Sequence, residues 1–455
     1  MVHSVTPQRP PRRRSRHLAP AQAIATGFGA TILFGTLLLM LPISSAKGTW
    51  TGFVDALFTS TSAVCVTGLI TVDTATHWSG FGKVVILMLI QLGGLGIMLF
   101  ASLIGLALVR KLSVRSRIIA GTETKSTGNG DMKRIVTGIL LTTLAIEVAV
   151  AILLFVRFLT AYDYDLGKAI WHAVFHSVSS FNNAGFALYS DSLMGFVSDP
   201  WICLPVCAAI ILGGLGFPVL RQLRKELRRP LHWTMNTRIV LWATATLLVL
   251  GTTYVVVMEW DNPATLGGLD PASRILAGFF HAVQARTAGF NSVDTSQMHD
   301  ETWLGTDVLM FIGGGPAGTA GGIKVTTFAV LFFIMLTELR GGTAVNVFGK
   351  RLSRAVHREA ITVVIVALGA VMAAVIAILA ITDLDLDRVL FEVVSAFGTV
   401  GMSTGITADL PEAGQLILVL LMFLGRLGPL TLGSALALRE RATGYELPKE
   451  RPAIG

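Results

Sequence analysis

The stretch "FVDALFTSTSAVCVTGL" (53–69) decides the fold. Only ~10–14 of its residues suit a helix, too few for a bilayer core that takes ~20, so it reads as a re-entrant segment ending at a glycine. Three more stretches share the design: "AIWHAVFHSVSSFNNAGF" (169–186), "ILAGFFHAVQARTAGF" (275–290) and "VLFEVVSAFGTVGM" (389–402). With Gly68, Gly185, Gly289 and Gly401 in one column, Phe58, Phe175, Phe279 and Phe391 stand ten residues earlier. Leu69, Phe186, Phe290 and Met402 follow at once. Copies 1 and 3 run on as "GLITVDT" and "GFNSVDT", which gives Asp73 and Asp294 one offset. The column glycines lie 117, 104 and 112 positions apart, so the chain is four copies of one unit.

Long apolar runs flank each copy: 22–42, 82–109, 135–160, 200–220, 238–259, 303–337, 360–382 and 414–438. The chain is 53% hydrophobic and only 14% charged, with mean hydropathy +0.67, which excludes a soluble globular protein of this length. The second run of each pair carries a glycine pentapeptide: "LGGLG" at Leu92 and Leu212, "IGGGP" at Ile312 and "LGRLG" at Leu424. Its first glycine falls 25, 28, 24 and 24 residues after the column glycine. The expected fold is an all-α polytopic membrane protein of eight transmembrane spans. Its four span–pore helix–span units surround a pseudo-fourfold axis. The units are 21–125, 126–230, 231–350 (with an intramembrane loop at 313–324) and 351–440, between a basic tail 1–20 and a tail 441–455.

The net charge of +8 is topological. Of the 36 basic residues, 27 fall in five patches (1–20, 110–134, 221–238, 340–358 and 439–451), each after an even number of spans. The positive-inside rule then makes both termini cytoplasmic. The patches are short and lack interleaved aromatics, so no nucleic-acid partner is expected. Cys203 and Cys207 read as packing residues, and His172 with His176 finds no carboxylate to complete a metal site. No enzymatic constellation emerges, and the chain is not expected to be an enzyme.

Four such units can direct four helix C-termini at one axis, where their partial negative charges favour a cation. The residues after each helix, Val66–Thr67–Gly68, Asn183–Ala184–Gly185, Thr287–Ala288–Gly289 and Thr399–Val400–Gly401, can offer carbonyls in place of a hydration shell. A monovalent-cation pathway follows, with Asp73, Asp294, Asp383, Asp385 and Asp387 expected at its outer mouth.

At this point "SAVCVTGLITVDT", "SSFNNAGF", "ARTAGFNSVDT" and "SAFGTVGMSTG" resemble the four pore loops of the Trk/Ktr/HKT potassium-transporter superfamily. "GGGPAGTAGGIK" (313–324) and "LGRLGPLT" resemble its third- and fourth-repeat inner helices. Length and span number bring the chain nearest to the bacterial Ktr membrane subunit. The resemblance implies one filter glycine per repeat, a preference for K+ when all four are glycine, and Na+ as a candidate activating ion. It also implies a homodimer in the bacterial plasma membrane and a cytoplasmic ring of Rossmann-type, nucleotide-binding regulatory subunits. The cytoplasmic segments are too short to fold alone, so regulation must come from another chain. The basic patches can dock that ring or anionic membrane lipid. Unequal strands (Cys65 and Val66 against Asn182 and Asn183) keep sodium or ammonium as the alternative cargo.

Inside the third long run, Gly313, Gly314, Gly315, Gly318, Gly321 and Gly322, with Thr319, forbid a continuous helix. Two half-helices joined by a flexible linker are expected, with the linker lying across the axis as a gate. The resemblance implies the same. Lys324 would anchor this loop to a carboxylate or carbonyl. A nucleotide-binding phosphate loop is excluded, because Gly322 is followed by Ile323 and Lys324 rather than by Lys-Ser/Thr. Arg426 fills the column held elsewhere by Gly94, Gly214 and Gly314 and is expected to contact the loop, with an ion pair to Glu147 as the alternative. Arg286, Asn182, Asn183 and Asn291 are expected to brace the filter from behind.

Overall fold

The computed structural model describes residues 20–99 and 129–428. The expected tails and the ends of two expected runs, 100–109 and 429–438, lie outside the described residues. Fourteen α-helices are described: α1 (Pro20–Met40), α2 (Phe53–Val64), α3 (Gly80–Leu99), α4 (Asn129–Ala161), α5 (Leu166–Phe181), α6 (Pro200–Leu215), α7 (Phe217–Glu226), α8 (Met235–Glu259), α9 (Pro271–Gln284), α10 (Asp300–Phe311), α11 (Val325–Leu339), α12 (Arg354–Leu379), α13 (Leu386–Gly398) and α14 (Glu412–Leu427). Helices α1, α3, α4, α8 and α12 contain stretches long and apolar enough to cross a membrane.

Among the described residues the all-α expectation fails at one place. Asn346–Val347 and Lys350–Arg351 form a two-stranded hairpin. Its turn residues Phe348 and Gly349 both have positive φ, +49° and +75°, the combination a tight two-residue hairpin turn needs. The continuous run expected over 200–220 also breaks. Helix α6 ends at Gly216, φ +89°, and Pro218 opens α7 at 101° to it. The α7 face carries Arg224 and Lys225 in its last turn, so its polarity suits a membrane surface better than a bilayer core. The third long run divides into α10 and α11, as its glycines dictate.

Short helices α2, α5, α9 and α13 pack against the longer helices α1, α4, α8 and α12 that precede them. Aspartate side chains cap two of these short helices. Asp165 accepts from the Lys168 N–H, and Asp270 accepts from the Ala272 and Ser273 N–H groups. Phe58, Phe175 and Phe391 are fully buried, while in the third copy Phe279 is part-exposed and its neighbour Phe280 is fully buried. The units also interlock in order. The second helix of each of units two, three and four packs on the next unit's short helix: α6 on α9, α10 on α13 and α14 on α2. From α3, Gln91 reaches Asn182 at the end of α5, which links unit one to unit two. The interlocking closes on itself.

Candidate functional site

Each short helix stops the same way. Two residues before the column glycine a non-glycine residue turns left-handed: Val66 (φ +50°), Asn183 (+59°), Thr287 (+75°) and Thr399 (+49°). Such a conformation costs roughly 1–2 kcal/mol for an L-residue, so something nearby must hold it. Hydrogen bonds back into the helix do so: Thr67 N to Ser62 O (2.8 Å), Ala184 N to Ser179 O (2.8 Å), Val400 N to Ser395 O (2.9 Å) and Ala288 N to Gln284 O (3.0 Å). The column glycines are left-handed too, at +97°, +69°, +75° and +92°. Alternating hands along a three-residue strand turn its carbonyls to one side.

The four strands meet head to tail. A Cβ added to Gly68 would lie 2.6 Å from Ala184 O, and one on Gly185 2.4 Å from Ala288 O. On Gly289 it would lie 2.2 Å from Val400 O, and on Gly401 2.0 Å from Thr67 O. Each glycine thus abuts the carbonyl preceding the next glycine, and the fourth returns to the first. A β-carbon at any of the four positions would occupy space the neighbouring backbone already fills. The hydroxyls of Thr67 and Thr399 are buried here without a protein partner.

Sequence reasoning missed the residues that hold this ring. Ser62 Oγ accepts from Gly68 N at 3.0 Å, and Ser395 Oγ from Gly401 N at 3.1 Å. Ser179, in the same column, donates to Phe186 O at 2.8 Å. The third copy has Val283 in that column, and Gln284 Oε1 serves instead by accepting from Phe290 N at 3.1 Å. The signal, a serine six residues before the glycine, was available in three of the four copies.

Outside the ring lies a cavity of about 390 Å³ lined by all four column glycines and by Asp73, Asp191 and Asp294. Asp383, Asp385 and Asp387 do not line it: they start α13, whose opposite end supplies the ring. Asp73 accepts from Ser190 Oγ (2.6 Å), Thr76 Oγ1 (2.7 Å) and Ala75 N (3.0 Å). Burial pushes its pKa up, but these hydrogen bonds and the charge of Lys83 outweigh it, so the carboxyl is held below its usual value and is charged at neutral pH. Asp73→Asn is expected to raise the half-saturating rubidium concentration about 2–5-fold at low ionic strength, with little change at saturation. In concentrated salt the difference should vanish. An unchanged concentration dependence in dilute buffer would remove Asp73 from the entry path.

Inside the ring, residues 313–324 of the third unit contact the second and the fourth. Gly315 N donates to Gly214 O at 2.7 Å and Thr319 N to Gly213 O at 3.2 Å, which fixes the loop to the second unit. A Cβ on Gly321 would meet Thr399 Oγ1 at 2.0 Å, so the loop presses on the fourth strand. Thr319 Oγ1 lies 2.9 Å from the Asn183 side-chain amide. Arg426 donates to Thr319 O from one guanidinium nitrogen and to Gly93 O, in the first unit, from another at 3.0 Å. Lys324 Nζ donates to Ala320 O at 2.5 Å, so its anchor is a carbonyl of the loop itself.

Other residues sit differently from expectation. Glu147 does not pair with Arg426; it accepts from Gln91 and Asn182. Arg286 donates to Thr244 O (3.2 Å) and Gly313 O (3.3 Å), tying α8 to the start of the loop rather than gripping a ring carbonyl. Asn291 lies on the outer side, where its N–H donates to Ser192 Oγ and its carbonyl accepts from Leu193 N. It joins the second and third units above the ring. Asn182 and Asn183 do stand at the second strand.

The architecture is that of a multi-pass helical membrane protein. Residues 18–440 match the family model TrkH, described as cation transport protein, and the chain belongs to that family. It is 39% identical to the Ktr system potassium uptake protein B of Bacillus subtilis over 423 residues, covering 93% of this chain and 94% of the relative. It is 37% identical over 451 residues to the potassium/sodium uptake protein NtpJ of Enterococcus hirae, covering 98% and 99%. In fold it is similar to the crystal structure of the potassium transporter TrkH from Vibrio parahaemolyticus, with TM-score 0.71 and 18% identity over 94% of this chain and 87% of the other.

Proposed function

We propose that the chain takes up potassium ions across the plasma membrane through the ring of four glycine strands, with residues 313–324 and Arg426 as the gate. The cyclic contact of each glycine with the next strand's carbonyl carries this reading. The ring brings several backbone oxygens together, which a dehydrating cation requires. Helices α2, α5, α9 and α13 end just before the ring strands and add the negative ends of their dipoles. Inward movement is driven by the membrane potential, which supplies ~2.3 kcal/mol per elementary charge per 100 mV. The arrangement belongs to an eight-span, pseudo-fourfold protein with cytoplasmic termini. It works as a homodimer with a ring of nucleotide-binding subunits, and Na+ is its candidate activating ion.

The printed name of NtpJ, potassium/sodium uptake protein, together with the unequal strands, favours sodium as the second reading. Rubidium uptake by cells lacking their own potassium systems tests the first, and uptake of sodium alone would replace it with the second. Gly68→Ser is expected to lower the rubidium-to-sodium flux ratio about tenfold, because its Cβ must displace Ala184 O from 2.6 Å. An unaltered ratio would remove the strands as the selective element.

A further inference from the structure

A carboxylate within a membrane helix is costly unless it has partners, and its partners indicate its use. Glu147 lies in α4 and is 6% exposed. Among the described residues the one ion pair is Arg157–Asp199, so Glu147 has no salt-bridging cation there. Its Oε1 accepts from Asn182 Nδ2 at 3.1 Å, and its Oε2 from Gln91 Nε2 at 3.4 Å. The same Asn182 nitrogen donates to Gln91 Oε1 and to Val178 O, both at 2.9 Å. Three acceptors, from α3, α4 and α5, surround one NH2 group that has two hydrogens.

The position of that amide matters. Asn182 caps α5 and immediately precedes Asn183, the left-handed residue of the second strand, and Ala184, whose carbonyl abuts Gly68. Space for it comes from Gly94, where a Cβ would lie 1.9 Å from Asn182 Oδ1. The neighbouring Gly93 offers its carbonyl to Arg426. Dipeptide Gly93–Gly94 therefore has the gate cation on one side and the Asn182 amide on the other.

We propose that Glu147 and Gln91 act as positioning residues: they clamp Asn182, fix the second filter strand and so set the preference for potassium over sodium. The proposal rests on the filter reading above. A filter separates the two ions by the number, spacing and stiffness of its oxygens, and a strand whose first residue can rotate accommodates the smaller ion. The clamp requires two accepting oxygens at position 147 and not shape alone. Both oxygens of the carboxylate face N–H groups. A glutamine there would present its own NH2 to one of those donors, and either Asn182 or Gln91 would turn away.

The test uses the full chain in proteoliposomes, reading rubidium and sodium flux. Glu147→Gln is expected to lower the rubidium-to-sodium ratio about tenfold, the size appropriate to one lost charge-assisted hydrogen bond. The double variant Gln91→Glu/Glu147→Gln moves the carboxylate to the other side of the same amide and should restore the ratio to within about threefold of wild type. An unchanged ratio in Glu147→Gln overturns the proposal, as does a double variant no better than the single one, since plain packing would give that. If Glu147→Gln does not fold, Gln91→Met removes the α3 side of the clamp, which bonds both Asn182 and Glu147, and should show the same fall; an unchanged ratio there overturns it equally. Gly68→Ser is measured in parallel. If it too leaves the ratio unchanged, the filter reading has failed; if it alone moves the ratio, only the clamp has failed.

Discussion

Gly401→Ala should reduce rubidium flux at least ~100-fold, equivalent to about 3 kcal/mol on the conduction barrier. The new methyl would lie 2.0 Å from Thr67 O, 2.9 Å from Thr67 C and 3.0 Å from Gly68 Cα. All three are backbone atoms, so no side chain can swing aside, and the fourth strand must move away from the first. The left-handed backbone adds its own penalty of roughly 1–2 kcal/mol. Gly405→Ala separates the two effects. Gly405 has φ +94° but nothing within 4 Å of an added Cβ, so its variant carries the strain without the clash. Flux in Gly405→Ala should stay within about threefold of wild type, because strain of that size lowers stability and leaves the ring intact. Equal losses in the two variants would show that backbone strain, and not ring contact, governs conduction.

Removing residues 315–322 should raise flux about tenfold or more and release it from regulation. The excision is sterically modest, because Ile312 and Ile323 already pair and Gly313 N donates to Ile323 O at 2.8 Å, so the ends to be joined are adjacent. The loop is held by few bonds. Neutral ones such as Gly315 N to Gly214 O contribute about 1 kcal/mol each, and the Arg426 contacts, being charge-assisted, about 1.5–3 kcal/mol. A closed state held by so little can open without unfolding its surroundings. Arg426→Gln should act in the same direction but less strongly, since it removes one tether and leaves the obstruction. Wild-type flux after the excision would end the reading of this loop as a gate.

The glycine column, the phenylalanine ten residues before it and the apolar residue after it were legible because each answers a local demand. A left-handed turn asks for glycine wherever a neighbour crowds it, and a short buried helix asks for large apolar residues at fixed spacing. The break of the third long run was legible for the same reason. Partners of single polar side chains were harder to read. Arg286 was expected to brace the filter from behind by bonds to carbonyls, but which carbonyls, Thr244 and Gly313, was not readable. Glu147 was weighed as the partner of Arg426 and belongs with Gln91 and Asn182. An arginine or carboxylate reaches several candidates of equal chemistry, and the sequence does not say which is near. Ser62 and Ser395 could have been found from the column itself.

The sequence by itself determined that this is a helical membrane protein, and where along it four short glycine-ended stretches and four glycine-bearing pentapeptides fall. Those features depend on run length, residue type and backbone angle, which are properties of neighbours along the chain. Tertiary structure alone decided the order in which the strands touch, the closure of the fourth on the first, and the placement of one loop against the second and fourth strands. Contacts such as Arg426 to Gly93, 333 residues apart, are made by packing, and packing is decided by the whole chain at once.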